Sequence, residues 1–260
     1  MADRIGKINR YKDIIFYRTV AGIKSEARQN YLGYLWFMLE PLLSTAVFYF
    51  ALTQVTGRGG PDYVAFLLLG TLSWQWFEGS VTAAASSIRE KYATLIQFDL
   101  PKFIFPMVTV LVNSWKFFVT YAVLLALMPL LGLAPNWRYL ELVPVLLIQL
   151  GFILGLAFPL ALWVTLSNDL KVIMSSSFRL MFFLSGIIFN SEKVPESLRT
   201  AFYANPMAVL VESCRDIVLR NQTPNLHRLA YAAGVALLLL VVGLLQLRLM
   251  DKRLLKMIHV

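Results

Sequence analysis

The chain has 260 residues, 58% of them hydrophobic and only 15% charged, with 24 Lys and Arg against 15 Asp and Glu for a formal charge of +9. A mean hydropathy of +0.65 leaves too little charge to cover a soluble domain, so the composition points to an integral membrane protein. The cation surplus fits the cytoplasmic loops of such a chain better than a nucleic-acid partner, and one cysteine, Cys214, excludes an internal disulfide. With only His227 and His259 beside it, no Cys/His metal site is expected.

The N-terminus, MADRIGKINRYKDIIFYRTV, is charged throughout and lacks a compact apolar core before a small-residue cleavage site, so no cleavable signal is expected. Over residues 8–25, Ile8, Tyr11, Ile14, Ile15, Val20 and Ile23 alternate with Arg10, Lys12, Arg18 and Lys24. That pattern suits a helix lying in the membrane surface with its cations towards lipid phosphates, or alternatively an ordinary solvated helix. In ARQNYLGYLWFMLEP, residues 27–41, charge gives way to a long apolar run beginning at Leu32. A run of this length crosses a hydrocarbon core of roughly 30 Å with some tilt.

Hydropathy predicts six spans, over residues 32–55, 63–83, 105–127, 140–166, 172–189 and 229–247. They make one domain over residues 1–260, with a cytoplasmic N-terminus at 1–31, spans within 32–247 and a cytoplasmic tail at 248–260. Lys and Arg are about twice as frequent on one side of these spans as on the other, so both termini are expected to be cytoplasmic. SSIREKYATLIQFDLPK, between the second and third spans, is then a cytoplasmic segment of helical character. The longest connection, residues 190–228, is outside. In it, Pro195 suits a first helical turn and Asn205-Pro206 a fresh helix start. Two short helices that dip into or cap the outer face are expected, with a solvent-facing helical hairpin as the alternative.

No GxxxxGK[ST], GxSxG or HExxH sequence occurs, so catalysis within this chain is not expected. The aromatic residues carry more information. At 100° per residue, Tyr31, Tyr34, Phe37, Phe48 and Tyr49 share one side of the first span with Pro41 and Thr45. Phe66 and Phe77 share one side of the second with Gly70, Ser73 and Ser80, flanked by Trp74 and Trp76. Phe178, Phe182 and Phe189 share one side of the fifth with Ser175, Met181 and Ser185. Rings interleaved with hydroxyls suit a sliding sugar polymer, whereas plain packing or membrane-interface anchoring is the other reading. Glu40, Glu78, Lys116 and Arg179 fall within or near spans; Glu40 and Arg179 are the expected buried charges, and a Glu40–Glu78 proton relay is an alternative. Arg89, Glu90, Lys91 and Tyr92 followed by Leu95, Ile96 and Phe98 form a charged helix end with an apolar knob, shaped to dock on a partner, with a plain loop that touches nothing as the alternative.

YLGYLWFMLEPLL at 31–43 and FLLLGTLSWQWF at 66–77 resemble the ABC-2 family of bacterial exporters, within it the membrane subunit of O-antigen, capsular polysaccharide and teichoic acid transporters. LIQFDLPKFIFP at 95–106, SNDLKVI at 167–173 and NPMAVLVESCRDIVL at 205–219 continue the resemblance in order. It implies an all-helical homodimer of six-span subunits, paired with two copies of a separate ATPase that binds ATP and Mg²⁺, with no cofactor in this chain. Residues 8–25 would be the interface helix, 87–100 the coupling helix on the ATPase, and 194–203 and 206–220 the outer gate. That gate would hold Val194, Pro195, Tyr203, Asn205, Pro206, Glu212 and Arg215, with the aromatic stripes lining the path of a lipid-linked polysaccharide. Leu39-Glu40-Pro41 is closer to capsule exporters and DLPKFIFP to O-antigen members, so the polymer is left open. An ABC-2 exporter of a small drug or lipid, or a membrane-embedded glycan- or lipid-modifying enzyme, is the rival reading.

Overall fold

A computed structural model of the chain describes residues 2–29, 35–56, 60–91, 100–167, 169–191 and 194–250. Among these residues the fold is helical, with no strand. Helix α1 covers Ala2–Gln29 and α2 covers Leu35–Thr56. Helix α3, Pro61–Glu90, starts with proline at its first position after Gly60 at φ 125°, and runs 30 residues, about 45 Å at 1.5 Å per residue. Helix α4, Ile104–Leu127, tightens into the 3-10 turn Met128–Leu131 and stops at Gly132, whose φ of 84° suits the residue without a β-carbon. A second 3-10 turn, Trp137–Glu141, is capped by Asn136 Oδ1 accepting from Arg138 N and leads into α5, Leu142–Leu166. Helix α6 is Asp169–Leu184, α7 Glu196–Tyr203, α8 Pro206–Val218 and α9 Leu226–Met250.

Helix α3 is the axis of the molecule, packed by α2, α4, α5, α6 and α8, while α5 carries α9 on its far side. The main core therefore joins Leu69, Leu72 and Phe77 of α3 to Phe152 and Ile153 of α5 and to Leu210 and Ile217 of α8. Helices α5 and α9 approach closely because both offer glycine: a β-carbon at Gly155 would come within 2.8 Å of Leu239 Cβ, and one at Gly243 within 2.9 Å of Pro159 Cδ. Small residues at such positions let apolar helices pack backbone to backbone in lipid.

Among the described residues, three helical segments are long and apolar enough to cross a membrane: Ile104–Leu131, Trp137–Leu166 and Leu226–Leu249. The other expected spans fall on α2, α3 and α6, with differences that have physical causes. Helix α3 continues to Glu90, seven residues beyond the expected end at 83. Because other helices wrap it, α3 tolerates Thr71, Ser73 and Ser80 in its buried length and reads as less apolar than a lipid-facing helix. Helix α6 has 16 residues, about 24 Å, and ends at Leu184 rather than 189. The chain turns there through Gly186 at φ 68°. The apolar stripe of α1 does not lie on open lipid. Tyr11, Ile14, Ile15 and Ile23 pack against Ile104, Val108 and Val112, and Arg18 lies over Phe105, so α1 runs alongside α4.

Candidate translocation face and outer gate

Proline at the first position of α8 and Asn205 before it start the helix sharply, since Asn205 Oδ1 accepts from Met207 N at 3.0 Å. The Asn205 amide also donates to Ser185 Oγ at 2.8 Å, tying that start to the end of α6. Helix α8 is buried along nearly all its length among α3, α5 and α9, which excludes the solvent-facing hairpin for this element. Helix α7 is mostly exposed and holds on through Phe202, which packs with Val194, Ala208, Phe189 and Tyr203. Pro195 is exposed at its start, while Arg228 of α9 lies 3.5 Å over the Tyr203 ring.

At the centre of the packing around α8 is Arg215, 1% exposed. Its Nη1 donates to Gly186 O at 2.7 Å, its Nη2 to Ile187 O at 2.7 Å, and Nε and Nη2 both to Phe66 O at 3.3 and 3.2 Å. The guanidinium lies 3.4 Å over the Phe66 ring. Gly70 makes room for it, since a β-carbon there would come within 2.5 Å of Arg215 Nη2. Glu212 stands 3.7 Å from Arg215, accepts from Ser191 Oγ at 2.7 Å and pairs with Arg220 at 2.7 Å; Arg220 also bonds Asp216 and Asn190. Two guanidinium groups and two carboxylates thus balance, as charges removed from water require. Chemically, the arrangement fastens α8 to the N-terminal half of α3 and to the turn after α6.

The structure separates the expected path aromatics into two groups. Trp74, Trp76, Phe77 and Phe178 are at most 5% exposed and Phe66 is 9% exposed, all among this chain's own helices. Phe77 stacks on Phe152 and meets Phe178 edge-on, and Trp76 stacks on Phe117 at 4.0 Å and 8°. Phe66, Trp74, Phe77 and Phe178 are packed by the chain itself and Trp76 borders a cavity beside Phe117, so on the single chain these rings do not form the open stripe expected of a path. Phe48, Tyr49, Phe182 and Phe189 keep part of their surface, with Phe48 stacked on Phe182 at 5.4 Å across α2 and α6. Tyr31 and Tyr34 lie outside the described residues, as does the side chain of Phe37.

The charges are redistributed as well. Glu40 and Arg179 are exposed on the single chain, contrary to the expected burial, and the buried charges among the described residues are Lys102, Glu212 and Arg215. Glu40, Glu78 and Lys116, however, converge on one cavity of about 570 Å³ between α2, α3 and α4. Lys116 Nζ is 2.7 Å from Glu26 of α1, and Glu78 Oε2 accepts from the Trp74 indole at 2.6 Å. Arg89, Glu90 and Lys91 are exposed at the end of α3; Tyr92, Leu95 and Ile96 lie outside the described residues. No group of three or more His, Cys, Asp or Glu that could hold a metal occurs among the described residues.

Sequence reasoning missed the role of Gly70 as the seat of Arg215 and the GFILG sequence at 151–155 as a helix contact, although glycines four apart in an apolar helix are a readable signal. Residues 15–219 match the ABC-2 type transporter family. The chain is 29% identical over 238 residues to the O-antigen export system permease protein RfbA of Myxococcus xanthus, covering 91% of this chain and 92% of that one. It is 27% identical over 233 residues to the O-antigen export system permease protein RfbA of Klebsiella pneumoniae, covering 89% and 90%, and 26% identical to a second Klebsiella pneumoniae protein of that name.

Proposed function

The chain belongs to the ABC-2 type transporter family as a membrane permease, and from that premise we propose that its cargo is a lipid-linked polysaccharide of the O-antigen type, moved outward across the cytoplasmic membrane. The observation that carries the proposal is near full-length similarity to three permeases named for O-antigen export, at 26–29% identity over about 90% of the chain. In this reading α2, α3, α4, α5, α6 and α9 are the six spans, and the cation distribution sets both termini in the cytoplasm. Two copies form the path, and the family relationship supports a separate ATPase as the source of energy. Arg89, Glu90 and Lys91, exposed at the end of α3, lead into the segment that docks on it.

Movement follows from differential affinity. ATP binding draws the two halves together, which shifts the partly exposed rings of α2 and α6 and favours a state that holds the polymer differently. At the outer side, α8 and its Arg215 bonds close the exit, and opening must release the turn after α6 or move it with α8. Deleting the chain from its host is expected to remove polymer from the cell surface and accumulate lipid-linked polymer inside, with both effects reversed by supplying the chain. Undiminished surface polymer in the deletion would reject the cargo assignment.

A further inference from the structure

We propose that the cavity between α2, α3 and α4 is a binding site for sugar hydroxyls of the cargo, separate from the aromatic face of α2 and α6. The inference rests on the glycan reading above and specifies where the chain holds part of that glycan. The cavity lies beside the middle of α4, at residues 113–120 of a helix long and apolar enough to cross a membrane. Irregular or polar surface at that depth persists only where water, protein or a ligand covers it. Its volume of about 570 Å³ falls within the range of about 300–1,000 Å³ usual for small-ligand sites.

Its walls have the chemistry that recognises sugars. Glu40, Gln75, Glu78, Asn113, Lys116 and Thr120 offer carboxylate, amide, ammonium and hydroxyl groups around one space, against an apolar wall made by the Trp76–Phe117 stack. Sugar hydroxyls both donate and accept, and carboxylates and amides satisfy adjacent hydroxyls together. Thr120 donates to Lys116 O one turn back, which leaves its oxygen lone pairs to accept from a cargo hydroxyl.

Charge decides which end of the cargo fits. Lys116 is held by Glu26, Glu78 has its Oε2 on the Trp74 indole, and Glu40 makes no ion pair among the described residues. The lining therefore presents carboxylates in excess of cations. It repels a diphosphate and accepts neutral or amino sugars.

Gly79 supplies the test. It lines the cavity, and a β-carbon there meets nothing within 4 Å, so a larger side chain fills the space without displacing the protein. The full-length chain in lipid nanodiscs is titrated with radiolabelled polyprenyl diphosphate bearing one to three repeat units of the host's surface glycan, and separately with bare polyprenyl diphosphate. Gly79→Leu and Glu78→Gln are each expected to weaken the glycan-bearing probe at least tenfold and to leave the bare probe unchanged, with Gly79→Ala between them and the wild type. Binding of the glycan-bearing probe to Gly79→Leu within twofold of wild type would overturn the site, as would equal loss of both probes or a wild type that binds the two alike. The exporter reading fails by a different result, surface polymer that persists in the deletion strain, so the two failures are distinguishable.

Discussion

Arg215 makes four hydrogen bonds to three carbonyl oxygens and lies over Phe66, so its fork holds two separate parts of the chain at once. Arg215→Met removes all of these and leaves Glu212 in a buried site with less compensation. The expected loss of stability is about 3–5 kcal/mol, measured as thermal unfolding in detergent or nanodiscs. Arg215→Lys should recover little of it, because an ammonium cannot bridge carbonyls in fork geometry. Unchanged unfolding in both variants would contradict the proposed fastening role. Gly70→Ala should cost about 1–3 kcal/mol by overpacking against the guanidinium. Gly79→Ala, with open space around it, should be neutral or slightly stabilising. At this scale the sequence was a partial guide. NPMAVLVESCRDIVL singled out Glu212 and Arg215 as gate residues, yet ESCRD reads as the polar face of a solvated helix and gives no sign of full burial. Glu40 and Arg179 misled in the opposite direction, since hydropathy sees an apolar neighbourhood in sequence and not the exposed flank of α2 or α6.

Helix ends and faces were legible to different degrees. The start of α8 follows from Asn205-Pro206 and falls where the sequence indicates, whereas α3 starts at Pro61, two residues before the expected span at 63. Asn205→Ala, which loses the cap on Met207 N and the tie to Ser185, should destabilise by about 1–2 kcal/mol in the same unfolding measurement. The end of α6 was not legible, because Arg215, 29 residues from Gly186, captures the carbonyls of the turn that replaces its last helical residues. On α3, Phe77 packs on α5 and α6 while Trp76 packs on α4. Whether cargo or protein covers these rings depends on the neighbouring helices, which no local periodicity reports. The contact of α5 with α9 makes a separate prediction: Gly155→Leu has no room beside Leu239 and Leu240 and should lower folded yield and thermal stability, whereas Gly234→Leu, with nothing within 4 Å of its β-carbon, should not. Equal behaviour of the two would contradict backbone-to-backbone packing as the basis of that pair.

At the scale of the whole molecule, composition indicated a polytopic membrane protein, and the ordered motifs indicated the ABC-2 family that residues 15–219 match. Among the described residues three helical segments carry the hydropathy of spans; of the other proposed spans, α3 owes its tolerance of polar residues to the helices that wrap it, and α6 ends at the turn that Arg215 holds. In the proposed function the chain is a permease fastened by α8 at its outer end, with glycan contacts on α2, α3, α4 and α6 and energy from a separate ATPase. The most direct measurement is translocation in sealed proteoliposomes containing the chain and its ATPase, with lipid-linked glycan labelled in the ATP-accessible leaflet. Appearance of glycan in the opposite leaflet should require ATP and both proteins. Glycan that stays in its leaflet while small amphiphiles move, or transport driven by this chain alone with ATP, would contradict the account.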